Sequence, residues 1–163
     1  GTLFFMVTGD LSFFYDMNVL GNRHVGKNVR LMVINNGVGQ QFRNPGYAIK
    51  YLGEAVNDYV AAAGHFGNKS KELLKNYSEA LGFEYLSASN KEEYLGNVKH
   101  FCDSNIGDSP MLFEVFTDTN DESEALKQIS GLRTTIKSKL RNYAMEVVGG
   151  KGITLVKKLT GRY

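Results

Sequence analysis

Two patterns in these 163 residues predict an α/β fold, a three-layer α/β/α sandwich around a mainly parallel sheet. Short apolar runs alternate with longer segments of helical apolar spacing, the signature of strands covered by helices on both faces. Two of the runs also end in polar turn pairs, Gly9-Asp10 and Asn35-Asn36, with 24 residues between Asp10 and Asn35. That interval holds one crossover helix and the strand after it. Parallel strands joined this way present both pairs at their carboxyl ends, where open α/β sheets bind ligands.

The chain opens on Leu3 to Val7, read as a core strand over 3–8. Helical spacing follows over 13–22, with Phe13, Phe14 and Tyr15 as packing residues. The next strand, 29–34, runs into Asn-Asn-Gly. Helices are predicted over 54–64 and 69–81, and a strand over 83–87. Asn90 followed by Glu93 forms a capping box that opens a helix over 90–103. A last strand spans 111–117. Asn120, with Asp121 and Glu122 in the next turn, starts a helix over 121–147. Gly149-Gly150 breaks it, so one domain over 1–148 precedes a basic tail over 149–163.

Composition bounds the function. With 42% apolar and 22% charged residues and a net charge of +2, the chain builds one globular core. No apolar stretch reaches the roughly 20 residues of a membrane helix. The one cysteine, Cys102, excludes an intramolecular disulfide and favours a reducing, cytoplasmic compartment. Cys102 has only His100 nearby in sequence, which reads as packing rather than a metal site. Residues 127–163 carry nine Lys and Arg against one acidic residue, Glu146. Those cations suit an exposed helix side, and no aromatic ladder accompanies them as single-strand binding would require. No nucleic-acid or membrane partner is expected.

The chemistry sits at the two turns. Gly-Asp and Asn-Gly are each common turns taken singly. Together, each after an apolar strand, they place hard oxygen donors side by side. Asp10 brings charge and Asn36 a neutral carbonyl, as Mg²⁺ prefers when phosphates complete its octahedron. Gly37 lets the backbone bend so that a main-chain carbonyl becomes a third ligand, and Gly37 and Gly39 permit close backbone approach. The helix opening after Asp10 offers N–H groups and a positive dipole end to phosphate, and Ser12 adds a hydroxyl. The constellation reads as a magnesium-diphosphate clamp. Arg43 is a candidate for a substrate carboxylate, and His65 is a weaker one. His24 reads as polar surface.

GDLSFFYDMN followed by NNGVGQQF resembles the diphosphate-binding motif of thiamine-diphosphate-dependent enzymes, which begins Gly-Asp and ends Asn-Asn. Leu-Ser after Gly-Asp and the glycine-rich run ending in Phe are similar to its menaquinone-pathway branch. The match is close over residues 3–42 and looser to about residue 130, through PMLFEVFTDTNDESEAL. The family pattern has glycine where Val38 stands and an aliphatic residue where Gln41 stands. The resemblance implies Mg²⁺ on Asp10, Asn36 and the Val38 carbonyl. It also implies a cofactor site drawn from Gly9, Asp10, Leu11, Ser12, Asn36, Gly37, Val38, Gly39, Gln41 and Phe42. It implies decarboxylation of a 2-oxo acid, followed by protonation or joining to an acceptor. The activating glutamate of such enzymes lies on a pyrimidine-binding domain of the same enzyme, in a second subunit of a homo-oligomer. The chain is thus expected to be a C-terminal fragment with an incomplete N-terminal side, and no catalytic residue is assigned within it. Three identities fit the resemblance: a decarboxylase or carboligase, the menaquinone-pathway synthase itself, or a non-catalytic domain that keeps the fold for assembly.

Overall fold

The computed structural model describes residues 1–43, 49–60, 64–65 and 68–132. Contacts divide the chain into two compact units, Gly1–Thr119 and Asn120–Tyr163.

Among the described residues, four strands of the first unit form one parallel sheet in the order β1-β2-β6-β5. These are β1 (Phe4–Gly9), β2 (Val29–Asn35), β5 (Glu84–Ala88) and β6 (Met111–Phe116). Each lies within a residue or two of the position that its apolar run predicts. The two-residue strands β3 (Gly64–His65) and β4 (Asn68–Lys69) pair antiparallel. Register joins Gly9 to Ile34 across β1 and β2, so the Gly-Asp and Asn-Asn turns leave the sheet side by side.

Alternation along the central strands sorts the core into two layers. On one face Leu31, Val33 and Leu112 pack with Phe13, Leu20, Leu74 and Phe83. This layer is covered by α1 (Asp10–Asp16) and α4 (Leu73–Ala80). On the other face Met111 and Phe113 pack with Ala88 and Phe101, beneath α5 (Lys91–Phe101). The α/β sandwich is therefore the one predicted.

Helix boundaries follow local chemistry. The crossover helix begins at Asp10 itself, three residues before the predicted start, and tightens into a 3₁₀ turn over Met17–Gly21. α2 (Ile49–Leu52) is an element that the sequence reading lacks, and it closes at Gly53, at φ +57°, the left-handed conformation that ends helices. Of the helix predicted over 54–64, the described residues show a 3₁₀ turn over Gly53–Ala55 and α3 (Val56–Tyr59), with Gly64 already in β3. α4 starts at Leu73 rather than 69, because Asn68 and Lys69 form β4. It ends in a Schellman motif, Phe83 N–H donating to Ser78 O at 3.0 Å and Gly82 N–H to Glu79 O at 3.0 Å, with Gly82 at φ +83°. Asn90 caps α5 by accepting from Glu93 N–H at 2.9 Å. The returning Glu93 carboxylate accepts from Ser89 N–H at 2.7 Å, one residue earlier than a capping box requires.

The first strand departs from expectation. β1 is an edge strand rather than a core one, and Phe4, Phe5, Met6 and Val7 are 52–65% exposed. Within the described sheet β1 pairs on one side, with β2. In the second unit, α6 (Thr119–Leu132) carries Asp121 and Glu122 in its first turn, as a helix N-terminus favours. The rest of the predicted helix to residue 147, the domain boundary at 148 and the basic tail lie outside the described residues.

Candidate functional site

At the carboxyl end of β1, Gly9 enters α1 in an extended conformation, so Asp10 becomes the first helical residue. It is 3% exposed. A buried carboxylate is tolerated where hydrogen bonds replace water. Asp10 Oδ1 accepts from Leu11 N–H at 2.7 Å. Its Oδ2 accepts from Gly37 N–H at 2.6 Å, across 27 residues of chain. The two turns are thus in direct contact through this carboxylate.

The Asn turn is organised by its own side chains. Asn36 Oδ1 accepts from Val38 N–H at 2.9 Å. Asn35 Oδ1 accepts from Gly37 N–H at 3.0 Å, sharing that donor with Asp10. The Val38 carbonyl accepts from Gln40 N–H at 3.0 Å. These contacts orient the Asp10, Asn36 and Val38 oxygens. Gly37 stands at φ +72°. Gly37→Ala is expected to cost about 1–2 kcal/mol, the penalty of a Cβ in the left-handed region. An unchanged urea midpoint would show that the turn relaxes freely.

The remaining predicted residues fall into two groups. Leu11, Gly39 and Phe42 converge: a Cβ on Gly39 would stand 2.8 Å from Leu11 Cδ2 and 3.0 Å from Phe42 Cδ2. A side chain at position 39 would therefore require the Leu11 and Phe42 side chains to shift. Gln41 and Phe42 lie exposed in a 3₁₀ turn over Gln40–Arg43, and Ser12 is exposed in the first turn of α1. The side chains of Arg43 and His65 lie outside the described residues. His24 is exposed, as expected. His100 pairs with Glu84 at 2.6 Å.

Two residues of this region, Glu114 and Tyr85, have no place in the sequence-derived site. Glu114, in β6, is 1% exposed. Its Oε1 accepts from Asn35 Nδ2 at 2.6 Å, and its Oε2 from the Tyr85 hydroxyl at 2.6 Å. Burial raises the Glu114 pKa above the ordinary carboxylate value, against the lowering effect of the two hydrogen bonds, and the negative charge of Asp10 adds to the rise. Stability from this group falls as pH climbs from the ordinary value through the raised one. Burial, then the bond to Glu114, raises the Tyr85 hydroxyl as well. The available signal was an acidic residue inside the apolar run MLFEVF, at the parity of Leu112.

Among the described residues there is no group of three or more His, Cys, Asp and Glu suited to a metal ion. A cation here would rest on one carboxylate, one carboxamide and a carbonyl, with ligand oxygens supplying the rest. That donor set fits a hard divalent ion bound with phosphates.

No family model matches the chain. It is 35% identical over 124 residues to 2-succinyl-5-enolpyruvyl-6-hydroxy-3-cyclohexene-1-carboxylate synthase of Bacteroides fragilis, covering 76% of this chain and 21% of that protein. The same-named enzyme of Bacteroides thetaiotaomicron is 36% identical over 124 residues, with the same coverage. That of Flavobacterium johnsoniae is 34% identical over 123 residues, covering 75% of this chain and 20% of that protein. The chain belongs to the thiamine-diphosphate-dependent enzyme family. All three relatives carry the name 2-succinyl-5-enolpyruvyl-6-hydroxy-3-cyclohexene-1-carboxylate synthase. The chain spans about a fifth of the length of these curated relatives.

Proposed function

We propose that the chain is the C-terminal, diphosphate-binding domain of a Mg²⁺- and thiamine-diphosphate-dependent enzyme acting on a 2-oxo acid as a decarboxylase or carboligase. One observation carries this reading: Asp10 and the Asn35-Asn36-Gly37 turn are hydrogen-bonded together where two adjacent parallel strands end. Asp10, Asn36 and the Val38 carbonyl hold Mg²⁺, and Leu11, Ser12 and the start of α1 receive the diphosphate. Gln41 and Phe42 lie beside the cofactor. When bound, thiamine diphosphate supplies the electron sink for loss of carbon dioxide. The chain's own residues anchor and orient; none is assigned a proton transfer. The shared name of the relatives favours one particular carboligase, the menaquinone-pathway synthase.

The pyrimidine end of the cofactor, with its activating glutamate, belongs to another domain in this reading, from a second subunit of a cytoplasmic homo-oligomer. The exposed apolar side chains of Phe4 to Val7 support further covering structure along β1. No helix among the described residues is long and apolar enough to cross a membrane. Calorimetric titration of the complete polypeptide with thiamine diphosphate tests the reading; binding that does not depend on Mg²⁺ would overturn it. The purified 163-residue chain is expected to turn over no 2-oxo acid above a cofactor-only control. Turnover by this chain would refute the division of the site between domains.

A further inference from the structure

We infer that Glu114 and Tyr85 are positioning residues for the Asn35-Asn36-Gly37 turn, acting through the Asn35 carboxamide to set the affinity of the neighbouring cation site. The inference rests on the magnesium-diphosphate reading for its consequence, and on hydrogen-bond geometry for its cause.

A carboxylate at a central position of the sheet is costly to bury. Apolar residues of similar volume commonly serve buried positions as well or better, and the residues around Glu114 in β6 are Leu112, Phe113, Val115 and Phe116. What the carboxylate provides is direction. Both Glu114 oxygens accept, Oε2 from the Tyr85 hydroxyl and Oε1 from the Asn35 NH₂, each at 2.6 Å. This fixes which way the carboxamide points. Its oxygen is then aimed at Gly37 N–H, 3.0 Å away. The same N–H reaches Asp10 Oδ2 at 2.6 Å. An unbroken series of hydrogen bonds therefore runs from Tyr85 on β5 through Glu114 on β6 and Asn35 on β2 to Gly37, and on to Asp10 at the head of α1. It ends on one cation-ligand candidate and holds the turn that carries Asn36 and Val38.

Without Glu114, the orientation of the Asn35 amide rests on Gly37 N–H alone, a donor that it shares with Asp10. A flipped carboxamide would present NH₂ to Gly37 N–H, donor against donor, and the turn would shift. Partners that orient metal ligands from behind typically contribute about 10–100-fold in metal affinity.

The variants Glu114→Leu, Glu114→Gln, Tyr85→Phe and Asn35→Ala in the complete polypeptide decide the matter through two measurements. The first is Mg²⁺ titration in the presence of thiamine diphosphate, beside the melting temperature. The second, in ligand-free protein, is hydrogen exchange at the Gly37 amide. Glu114→Leu and Asn35→Ala are expected to weaken Mg²⁺ about 10-fold or more and to speed Gly37 exchange at least about 10-fold. Glu114→Gln is expected to stay within about threefold of wild type, because its carboxamide can accept from Asn35 and donate to the Tyr85 oxygen. Wild-type Mg²⁺ affinity and Gly37 exchange in Glu114→Leu, or Glu114→Gln as impaired as Glu114→Leu, would overturn the inference. Should Glu114→Leu fail to fold, Tyr85→Phe and Asn35→Ala decide, and wild-type values in both overturn it. Wild-type protein that binds no Mg²⁺ with the cofactor would sink the functional reading, while Gly37 exchange still judges the positioning role.

Discussion

Asp10→Asn in the complete enzyme is expected to lower Mg²⁺-dependent binding of thiamine diphosphate by at least about 100-fold, above the range for partners that only orient ligands. Asp10 is the one charged member of the proposed ligand set and, on that reading, would face a diphosphate. Its carboxylate would repel the phosphates, and a divalent cation would offset that repulsion. Asparagine keeps the shape but one acceptor only, so its NH₂ meets Leu11 N–H or Gly37 N–H, and the loss reports that clash together with the missing charge. Asp10→Ala is the harsher change, because Leu11 N–H and Gly37 N–H both lose an acceptor. Gly37 N–H keeps Asn35 Oδ1, whereas an unsatisfied Leu11 N–H costs about 1–3 kcal/mol. The alanine variant therefore abolishes binding at some expense to the fold. Asn36→Ala should be milder, since water can replace a neutral ligand. Calorimetric titration with and without Mg²⁺ orders the three, and an Asp10→Asn protein that binds like wild type would end the metal-site account.

Phe113→Ala is expected to remove about 3–5 kcal/mol of stability, the usual range for a buried phenylalanine. Phe113 is fully buried in the layer under α5. Its ring stacks on Tyr94 with centroids 5.7 Å apart and meets Phe101 at 5.5 Å. It sits on the opposite sheet face from Glu114, by strand alternation. The folded protein should thus lose stability in urea while keeping its Mg²⁺ affinity. A loss below about 1 kcal/mol would mean that the layer collapses to fill the space.

Much of this molecule is legible in local pattern. The four apolar runs are strands because β-branched and aromatic residues in short runs fit a buried pleated surface. The pairing of Gly9-Asp10 with Asn35-Asn36 follows from crossover length and the handedness of parallel connections. The Asn90 cap was visible three residues from Glu93. Helix limits were less so. Residues 54–60 hold a 3₁₀ turn and the one-turn helix α3 where apolar spacing suggested a continuous helix. Asn68 and Lys69 joined a small antiparallel ribbon with Gly64 and His65, and a two-residue strand has no periodicity to detect.

Glu114 shows the deeper division. Sequence places an acidic residue in an apolar strand and makes its burial costly, but cost does not name a partner. Its two partners lie 29 and 79 residues away, on different strands. They meet it because β5, β6 and β2 are neighbours in register and because Tyr85, Glu114 and Asn35 project to one face. β1 makes the same point in reverse. Its side chains announce a core strand, yet its place at the end of the sheet leaves them exposed. Residue type decides what each position can do: donate, accept, bury or bend. Which of those capacities are used depends on strand order and register, since hydrogen bonds and burial are relations between segments that composition and spacing describe one at a time.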